Sequence, residues 1–259
     1  MKSRIAAAAA AGLTLGIAGP AMAQHWGYDG DTAPQNWAKL DPKFAMCGLG
    51  RNQSPIDIGG FVDAELKPLK LSYSTHAHEI ANHGQVSRDG ATGILNNGHT
   101  VQVNYAPGST LTVDGMTFEL KQFHFHAPSE NKINGKQFPL EGHLVHADKE
   151  GNLAVIAFMF NEGPASKLLA KLWEKMPTNE GDKNALASGL NVSQLLPTNK
   201  DYYRYNGSLT TPPCSEGVRW FVMKNTVTAS KAQIDLFTKA VGHPNNRPLN
   251  PVNARSVLR

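Results

Sequence analysis

The 259-residue sequence predicts one β-rich domain with helices at its periphery. Short segments that alternate polar with apolar side chains, which is the period of a β-strand, dominate the chain. Turn dipeptides separate these segments, and only two stretches have apolar residues at helical spacing. A single domain suits this length, since all-β and mixed domains often reach roughly 200–250 residues.

Eight segments are predicted to be strands because they alternate or are apolar throughout. In chain order they are Lys70–Tyr73, Gly93–Leu95, Thr100–Tyr105, Leu111–Val113, Thr117–Phe125, His143–Ala147, Ala154–Phe160 and Arg219–Lys224. Turns are predicted between them at Asn97-Gly98, Pro107-Gly108, Asp114-Gly115, Asn134-Gly135 and Glu150-Gly151. The segment Ala154–Phe160 has no polar residue, which predicts a central strand buried on both faces.

Two helices are predicted. The first is Ala165–Lys175, with Ser166 near its start and Pro177 just beyond its end. The second is Lys231–Ala240, which follows Ser230, a residue type that often caps a helix N-terminus.

The N-terminus has the pattern of a secretory signal peptide over residues 1–23. A basic start at Lys2 and Arg4 precedes an apolar run, and Ala21-Met22-Ala23 has the form of a cleavage site. A membrane anchor is the alternative, but the run is shorter than the roughly 20 apolar residues that span a bilayer. We therefore expect a mature domain at 24–259, in the periplasm or secreted.

Charge and cysteine content indicate whether this chain binds nucleic acid, is anchored in a membrane or forms a disulfide. Without Lys2 and Arg4 the basic residues number 23 against 21 acidic ones, and no basic cluster suggests nucleic acid. No long apolar run follows the leader, so no membrane anchor is expected. Cys47 and Cys214 are the two cysteines, and a pair in an exported chain favours a disulfide over two free thiols.

Three histidines are predicted to converge. On a strand, His124 and His126 point to one face together with Gln122, while Glu141, His143 and Val145 share a face of a second segment. If these strands pair, with Asn134-Gly135 helping to turn the chain, the three imidazoles meet. Three neutral nitrogen ligands with an open fourth position are typical of catalytic zinc. A core of hydrogen-bonded histidines remains the alternative.

A second group of histidines lies at His76-Ala77-His78, with His83 close behind. This group lacks the surrounding apolar alternation, which favours a solvated loop over a metal site.

The segment Tyr205–Pro213 has two threonines before two prolines, which by itself indicates only a rigid loop. Together with the histidine strands, it resembles the α-class carbonic anhydrases of the bacterial exported type. The resemblance continues over almost the whole mature chain in further motifs: His25-Trp26-Gly27-Tyr28, Asn52 to Asp57, Leu95-Asn96-Asn97-Gly98-His99, Gln122 to His126, Ala127-Pro128-Ser129-Glu130, Glu141 to His146, Trp220 and Asn246-Arg247-Pro248.

The resemblance implies a twisted, mostly antiparallel sheet of about ten strands with peripheral helices. It implies Zn²⁺ on His124, His126 and His143, with Gln122 and Glu141 as hydrogen-bond partners of His124 and His143. The implied activity is reversible hydration of carbon dioxide to bicarbonate and a proton by zinc hydroxide, inhibited by sulfonamides and anions. Weak hydrolysis of activated esters is an expected side reaction.

Further roles follow from the same resemblance. Thr210 would accept a hydrogen bond from the nucleophile and donate one to Glu130, since a hydroxyl has a single proton. Thr211 would lie near bound substrate, and His99 would shuttle the proton. The apolar wall for carbon dioxide would comprise Val145, Val155, Leu209 and Trp220, and the residues that order the connecting waters would be Tyr28, Asn97 and Gln102.

The cysteine pair also matches the disulfide of exported members, which would pin the loop after Thr210. Reduction of this disulfide is expected to loosen that loop.

Two departures from the family are Gly142, where bulkier residues are common, and the short stretch between Glu130 and Glu141. The rivals are a non-catalytic binding protein on the same fold and a zinc hydrolase on another fold. The sequence does not establish a homodimer, although bacterial relatives are often dimers.

Overall fold

The computed structural model describes residues 25–73, 80–82, 85–87, 91–186 and 190–259. The predicted signal peptide at 1–23 and the histidine group at 76, 78 and 83 lie outside the described residues. No described helix is both long and apolar enough to cross a bilayer. The division of the chain at residue 23 therefore stays a prediction.

Fifteen strands are present in the described part of the chain. They are β1 (Asp57–Ile58), β2 (Lys70–Ser72), β3 (Ile80–Asn82), β4 (Gln85–Ser87), β5 (Ala91–Asn96), β6 (Val101–Tyr105), β7 (Thr110–Val113), β8 (Met116–His126), β9 (Lys132–Ile133), β10 (Leu140–Ala147), β11 (Leu153–Glu162), β12 (Lys183–Ala185), β13 (Tyr202–Ser208), β14 (Glu216–Met223) and β15 (Val227–Ala229).

The helices are few and short. The α-helices are α1 (Trp37–Leu40), α2 (Met46–Leu49), α3 (Lys167–Trp173) and α4 (Lys231–Val241), and the 3₁₀ helices are Gly30–Thr32, Pro34–Asn36, Pro42–Phe44 and Val192–Leu195. Both predicted helices are confirmed. Ser166 caps α3 through the Leu169 amide, so the helix begins later than predicted. Ser230 and Gln233 form a capping box at α4, and Gly242 ends it with a φ of 83°.

Eleven strands of the described residues form one large sheet, which confirms the predicted fold class. The main order is β12-β5-β6-β8-β10-β11-β14-β13, with β7 joining β2 to β8 and with β15 beside β11. The pairs are antiparallel except that β11 runs parallel to β14 and β15. The mainly antiparallel order brings β8 and β10 together as neighbours.

All eight predicted strands exist, with shifted ends. The described residues contain seven further strands that the sequence does not predict, of which β13 is the longest: β1, β3, β4, β9, β12, β13 and β15. The stretch around Tyr205 was interpreted as a stiff loop, whereas Tyr202–Ser208 is strand β13, which pairs with β14. The sequence of β13 does not alternate cleanly, and neither does its burial: Tyr202, Tyr205, Gly207 and Ser208 are buried, whereas Asn206 is exposed. The loop itself begins only at Leu209.

The hydrophobic core lies on both faces of the sheet. Strand β11 is buried at every position from Ala154 to Phe160, as predicted for a central strand. Its Ile156 and Phe158 belong to one core cluster, and its Val155 and Ala157 belong to the other. Phe123 and Phe125 pack into the first cluster, so the strand residues between and after them face the opposite side.

Packing against Phe158 explains why residue 142 is a glycine, which is one departure from the family pattern. Gly142 lies opposite Phe158 in the β10–β11 ladder, and a Cβ there would be 2.3 Å from Cζ of Phe158. The bulky ring on β11 therefore requires the glycine on β10.

Candidate metal centre

The pairing of β8 with β10 brings the three histidines together. His143 lies directly opposite His124, and Glu141 lies opposite His126. One ring nitrogen of each histidine falls within 4.8 Å of the corresponding nitrogen of the others. The predicted strand pairing is confirmed, and the three side chains form a candidate metal centre.

The other nitrogen of each ring has a protein partner. His124 Nδ1 lies 2.8 Å from Gln122 Oε1, and His143 Nε2 lies 2.9 Å from Glu141 Oε1. His126 Nδ1 lies 2.7 Å from the backbone oxygen of Asn245. Oxygen acceptors require N–H donors, which assigns the proton to these nitrogens and leaves the three converging nitrogens free to bind a cation.

The environment keeps these imidazoles neutral. Burial lowers the pKa of His124, His126 and His143 below the ordinary value for histidine. Nε2 of His126 is buried and has no hydrogen-bond partner among the described residues. A buried, unpaired nitrogen is costly unless something binds it. Three neutral imidazole nitrogens of this kind fit Zn²⁺.

Glu141 connects the metal centre to the loop after β8. Its Oε1 also accepts a hydrogen bond of 2.7 Å from Asn131 Nδ2. Its Oε2 accepts from the backbone nitrogens of Glu130 at 2.7 Å and Asn131 at 2.9 Å. Burial raises the pKa of this carboxyl, and the bonds from Asn131 and Glu130 oppose the rise. One carboxylate therefore orients His143 and fixes the backbone that carries Glu130.

Glu130 lies beside the converging nitrogens. Its Oε1 accepts a hydrogen bond of 2.9 Å from the backbone nitrogen of Arg247, and its Oε2 lies 3.4 Å from His126 Nε2. Burial, followed by the charge of Glu141, raises the pKa of Glu130. Three groups lower this pKa: the backbone amide of Arg247, the side chain of Thr210 and the positive charge of Arg247. Oε2 itself makes no hydrogen bond of ordinary geometry to a described residue. A divalent cation beside Oε2 would favour the ionised form.

The apolar residues singled out from the sequence form a row across three strands. Val145 on β10 pairs with Val155 on β11, and Val155 pairs with Trp220 on β14. The Trp220 ring meets His143 edge to face, with centroids 5.0 Å apart. Leu209 is half-buried and packs against the core cluster that contains Val155 and Trp220. The row is an apolar layer beside the histidine cluster, in which Val155 and Trp220 are buried and Val145 and Leu209 are partly exposed.

Polar residues line a cavity of about 100 Å³ that adjoins the histidine cluster. Its lining includes Tyr28, Asn97, His99, Gln102, Thr211 and the ligand candidates His124 and His126. Asn97 Oδ1 accepts from the backbone nitrogens of His99 and Thr100, which builds the turn before β6. The hydroxyl of Tyr28 is buried without a partner among the described residues. Unpaired polar groups and a small polar cavity suit bound water.

His99 lines this cavity and stacks on two neighbouring rings. The His99 ring stacks on the Trp26 ring with centroids 3.7 Å apart, and on the ring of exposed His25 with centroids 5.2 Å apart. Burial lowers the pKa of His99 to about 4, with smaller contributions from His25 and His243. In this position the imidazole stays neutral at pH 7.

The disulfide prediction is confirmed. Cys47 and Cys214 are joined with a Cα–Cα distance of 5.0 Å. Cys214 is buried and closes the loop that carries Thr210 and Thr211. Within that loop, the Cys214 nitrogen donates to Thr211 O and the Leu209 nitrogen donates to Ser215 O.

Sequence reasoning missed three residues of the site: Asn131, Asn245 and the backbone of Arg247. The Asn246-Arg247-Pro248 motif marked Arg247 without giving it a role. Asn245 accepts from His126 through its carbonyl oxygen, and its side chain also bonds His99 O and Ala127 N. No residue type signals a backbone acceptor, so Asn245 could not have been found from the sequence.

Comparison with known proteins gives one family. The model of the eukaryotic-type carbonic anhydrase family matches residues 32–259. A carbonic anhydrase of Pectobacterium carotovorum is 48% identical over 234 residues, which is 90% of each chain. The α-carbonic anhydrase of Thermovibrio ammonificans, solved with the inhibitor sulfanilamide, is 46% identical with a TM-score of 0.84, covering 91% of this chain and 99% of that one. Dioscorin complexed with ascorbate is 32% identical, with a TM-score of 0.80, covering 90% and 97%.

Proposed function

Because this chain belongs to the eukaryotic-type carbonic anhydrase family, we propose that it hydrates carbon dioxide reversibly to bicarbonate and a proton at a zinc ion held by His124, His126 and His143. The observation that carries the proposal is the convergence of three neutral imidazole nitrogens, one of them buried without a hydrogen-bond partner in the described part of the chain. When bound in carbonic anhydrases, zinc lowers the pKa of a water to about 7 and so supplies a nucleophile at neutral pH.

The protein's own residues would orient that nucleophile. Thr210 is buried beside Glu130, whose Oε1 is already occupied by the Arg247 amide. If Thr210 donates its single proton to Oε2, its oxygen must accept a hydrogen bond on the other side. Such an acceptor disfavours anions that have no proton to give. The role requires an ionised Glu130, and a Glu130→Gln variant with full turnover would contradict it.

The apolar row supports a carbon dioxide site. Carbon dioxide is uncharged and a weak hydrogen-bond acceptor, so a wall of Val145, Val155, Leu209 and Trp220 can hold it without orienting it strongly. Thr211, which lines the polar cavity, would lie near bicarbonate.

Each turnover also releases a proton, and His99 is the proposed shuttle. Tyr28, Asn97 and Gln102 would order the water between His99 and the metal centre. A pKa of about 4 in the stacked position makes His99 a weak base there. We propose that the ring accepts the proton after it leaves Trp26 and regains contact with water.

The signal-peptide pattern supports a place in the periplasm or outside the cell, and the disulfide suits an oxidising compartment. Sulfonamides are proposed as inhibitors, since a related structure holds sulfanilamide. A non-catalytic binding protein is the alternative, because dioscorin complexed with ascorbate has the same fold. A homodimer stays a prediction.

The proposal is tested by His126→Ala with His146→Gln as its matched control. Both histidines are buried on the strands that form the site, but His146 bonds Tyr73 and Ala154 O rather than facing the cluster. We expect His126→Ala to lose zinc and hydration activity, and His146→Gln to keep both. Equal zinc content and turnover in the two variants would refute the proposed site.

A further inference from the structure

Among the described residues, two links join the loop 209–215, which carries Thr210 and Thr211, to the segment 47–54. One is the Cys47–Cys214 disulfide. The other is made by the side chains of Gln53 and Arg247. The residues on either side of the loop, Ser208 and Glu216, also bond Ser54 and Asn52 of that segment. We propose that Gln53 and Arg247 form a polar clasp that holds this loop and Glu130 in position in parallel with the disulfide. The link to turnover rests on the proposed function, whereas the link to loop stability does not.

Both the nitrogen and the oxygen of the Gln53 side-chain amide form hydrogen bonds where the loop meets the segment 47–54. Gln53 is 3% exposed, and its Nε2 donates to Cys214 O at 3.0 Å and to Glu216 Oε1 at 3.0 Å. Its Oε1 accepts from Nη1 of Arg247 at 2.9 Å. The amide therefore connects the buried guanidinium to the backbone of the half-cystine in the loop.

Arg247 holds the opposite side of the same junction. Its Nη1 also donates to Ser54 O at 2.7 Å, and its Nη2 donates to Cys47 O at 3.0 Å. The side chain is buried, and no carboxylate of a described residue lies within ion-pair distance of it. Its planar fork donates to these oxygens from two separate nitrogens, a geometry that the single ammonium nitrogen of lysine does not reproduce.

The two links therefore bind the same pair of backbone segments. The clasp hydrogen-bonds the carbonyl oxygens of both half-cystines, Cys214 through Gln53 and Cys47 through Arg247. The backbone nitrogen of Arg247 also fixes Oε1 of Glu130, which leaves Oε2 facing the metal centre. If the two links act in parallel, the loop between Ser208 and Glu216 opens freely only when both are broken, and the loss of either one alone should loosen it only slightly.

Hydrogen exchange of the loop 209–215 tests this parallel arrangement without depending on turnover. Four proteins are compared: the natural chain, the Cys47→Ser/Cys214→Ser pair, Arg247→Gln, and the combination of all three changes. We expect each partial change to accelerate exchange of the loop amides only slightly. The combination should accelerate it about tenfold beyond the product of the partial effects, as coupled links require. A combined effect equal to that product would overturn the proposal.

Arg255→Gln is the matched control, because this guanidinium also bonds three backbone oxygens, those of Val252, Asn206 and Pro251. In the disulfide-free chain it should not accelerate exchange of the loop, and an acceleration equal to that of Arg247→Gln would refute a specific clasp. Gln53→Met, which removes the amide but keeps the volume, is the second variant should Arg247→Gln fail to fold.

Turnover supplies a second readout. Without the disulfide, we expect Arg247→Gln or Gln53→Met to lower kcat about tenfold at unchanged KM and zinc content, since small misplacements of positioning groups cost rate. Arg255→Gln should leave kcat unchanged. A loss of kcat that only follows loss of zinc would overturn the positioning role.

Discussion

The substitution Gly142→Ala tests how the strand that carries His143 is packed. The added Cβ would lie 2.3 Å from Cζ and 2.8 Å from both Cε atoms of Phe158, which is fully buried. A normal contact requires about 3.4 Å or more, so the ring or the strand must move by roughly 1 Å. Inserting a methyl group into a filled core typically costs about 1–3 kcal/mol.

A smaller gain opposes this cost. Replacing glycine by alanine restricts the unfolded chain and recovers about 0.4–1 kcal/mol. We therefore expect a net loss of about 1–2 kcal/mol in the free energy of unfolding. For a domain of this size the loss corresponds to a decrease in Tm of roughly 2–8 °C. Urea unfolding of the zinc-saturated protein measures it.

Two further variants isolate the contact. Gly93→Ala is the control on β5, since its Cβ would meet Asn184 O at an ordinary 3.4 Å. Adding Phe158→Leu to Gly142→Ala should give a stability higher than the sum of the two single effects by about 1 kcal/mol or more. A Gly142→Ala protein within about 0.5 kcal/mol of the natural chain, or strictly additive effects, would refute the packing argument.

Three other predictions concern the site and its surroundings. Glu141→Gln should weaken zinc binding by about 10–100-fold, because it removes the charge behind His143; zinc titration against a chelator measures this, and unchanged affinity would contradict it. His99→Ala should slow hydration in dilute buffer and recover with imidazole buffer, whereas equal rates at all buffer concentrations would exclude a shuttle. His146 has its pKa lowered to about 4 by burial, so the unfolded chain binds its proton first and stability should fall as pH decreases from about 6.5 to about 4. The slope of Tm against pH should be smaller in His146→Gln, and an equal slope would show that His146 is not responsible.

The sequence predicted the convergence of the three histidines well because strand geometry determines it, whereas the assignment of zinc to them came from the family resemblance. Alternation places His124 and His126 on one face, and a single antiparallel pairing then brings His143 opposite. The central strand Ala154–Phe160 was equally clear, since its burial on both faces leaves a continuous apolar run. In these segments local pattern and tertiary environment agree.

Other features depend on contacts between distant parts of the chain. The parallel pairing of β11 with β14 and the strand β13 could not be read from local alternation. Asn245 binds His126 through its backbone oxygen, which its residue type does not signal. The need for a glycine at position 142 follows only from the ring of Phe158, which lies opposite it on the neighbouring strand. The sheet topology came from the family resemblance, since strand segments alone do not fix their order.

Zinc held by the three histidines is proposed to carry carbon dioxide hydration. Stopped-flow hydration measured on the purified mature protein, on the same protein after zinc removal and readdition, and with a sulfonamide present tests this proposal most directly. We predict fast hydration that disappears with the zinc, returns with it and is blocked by the sulfonamide. Bound zinc without hydration, or hydration that is insensitive to zinc removal, would contradict the account.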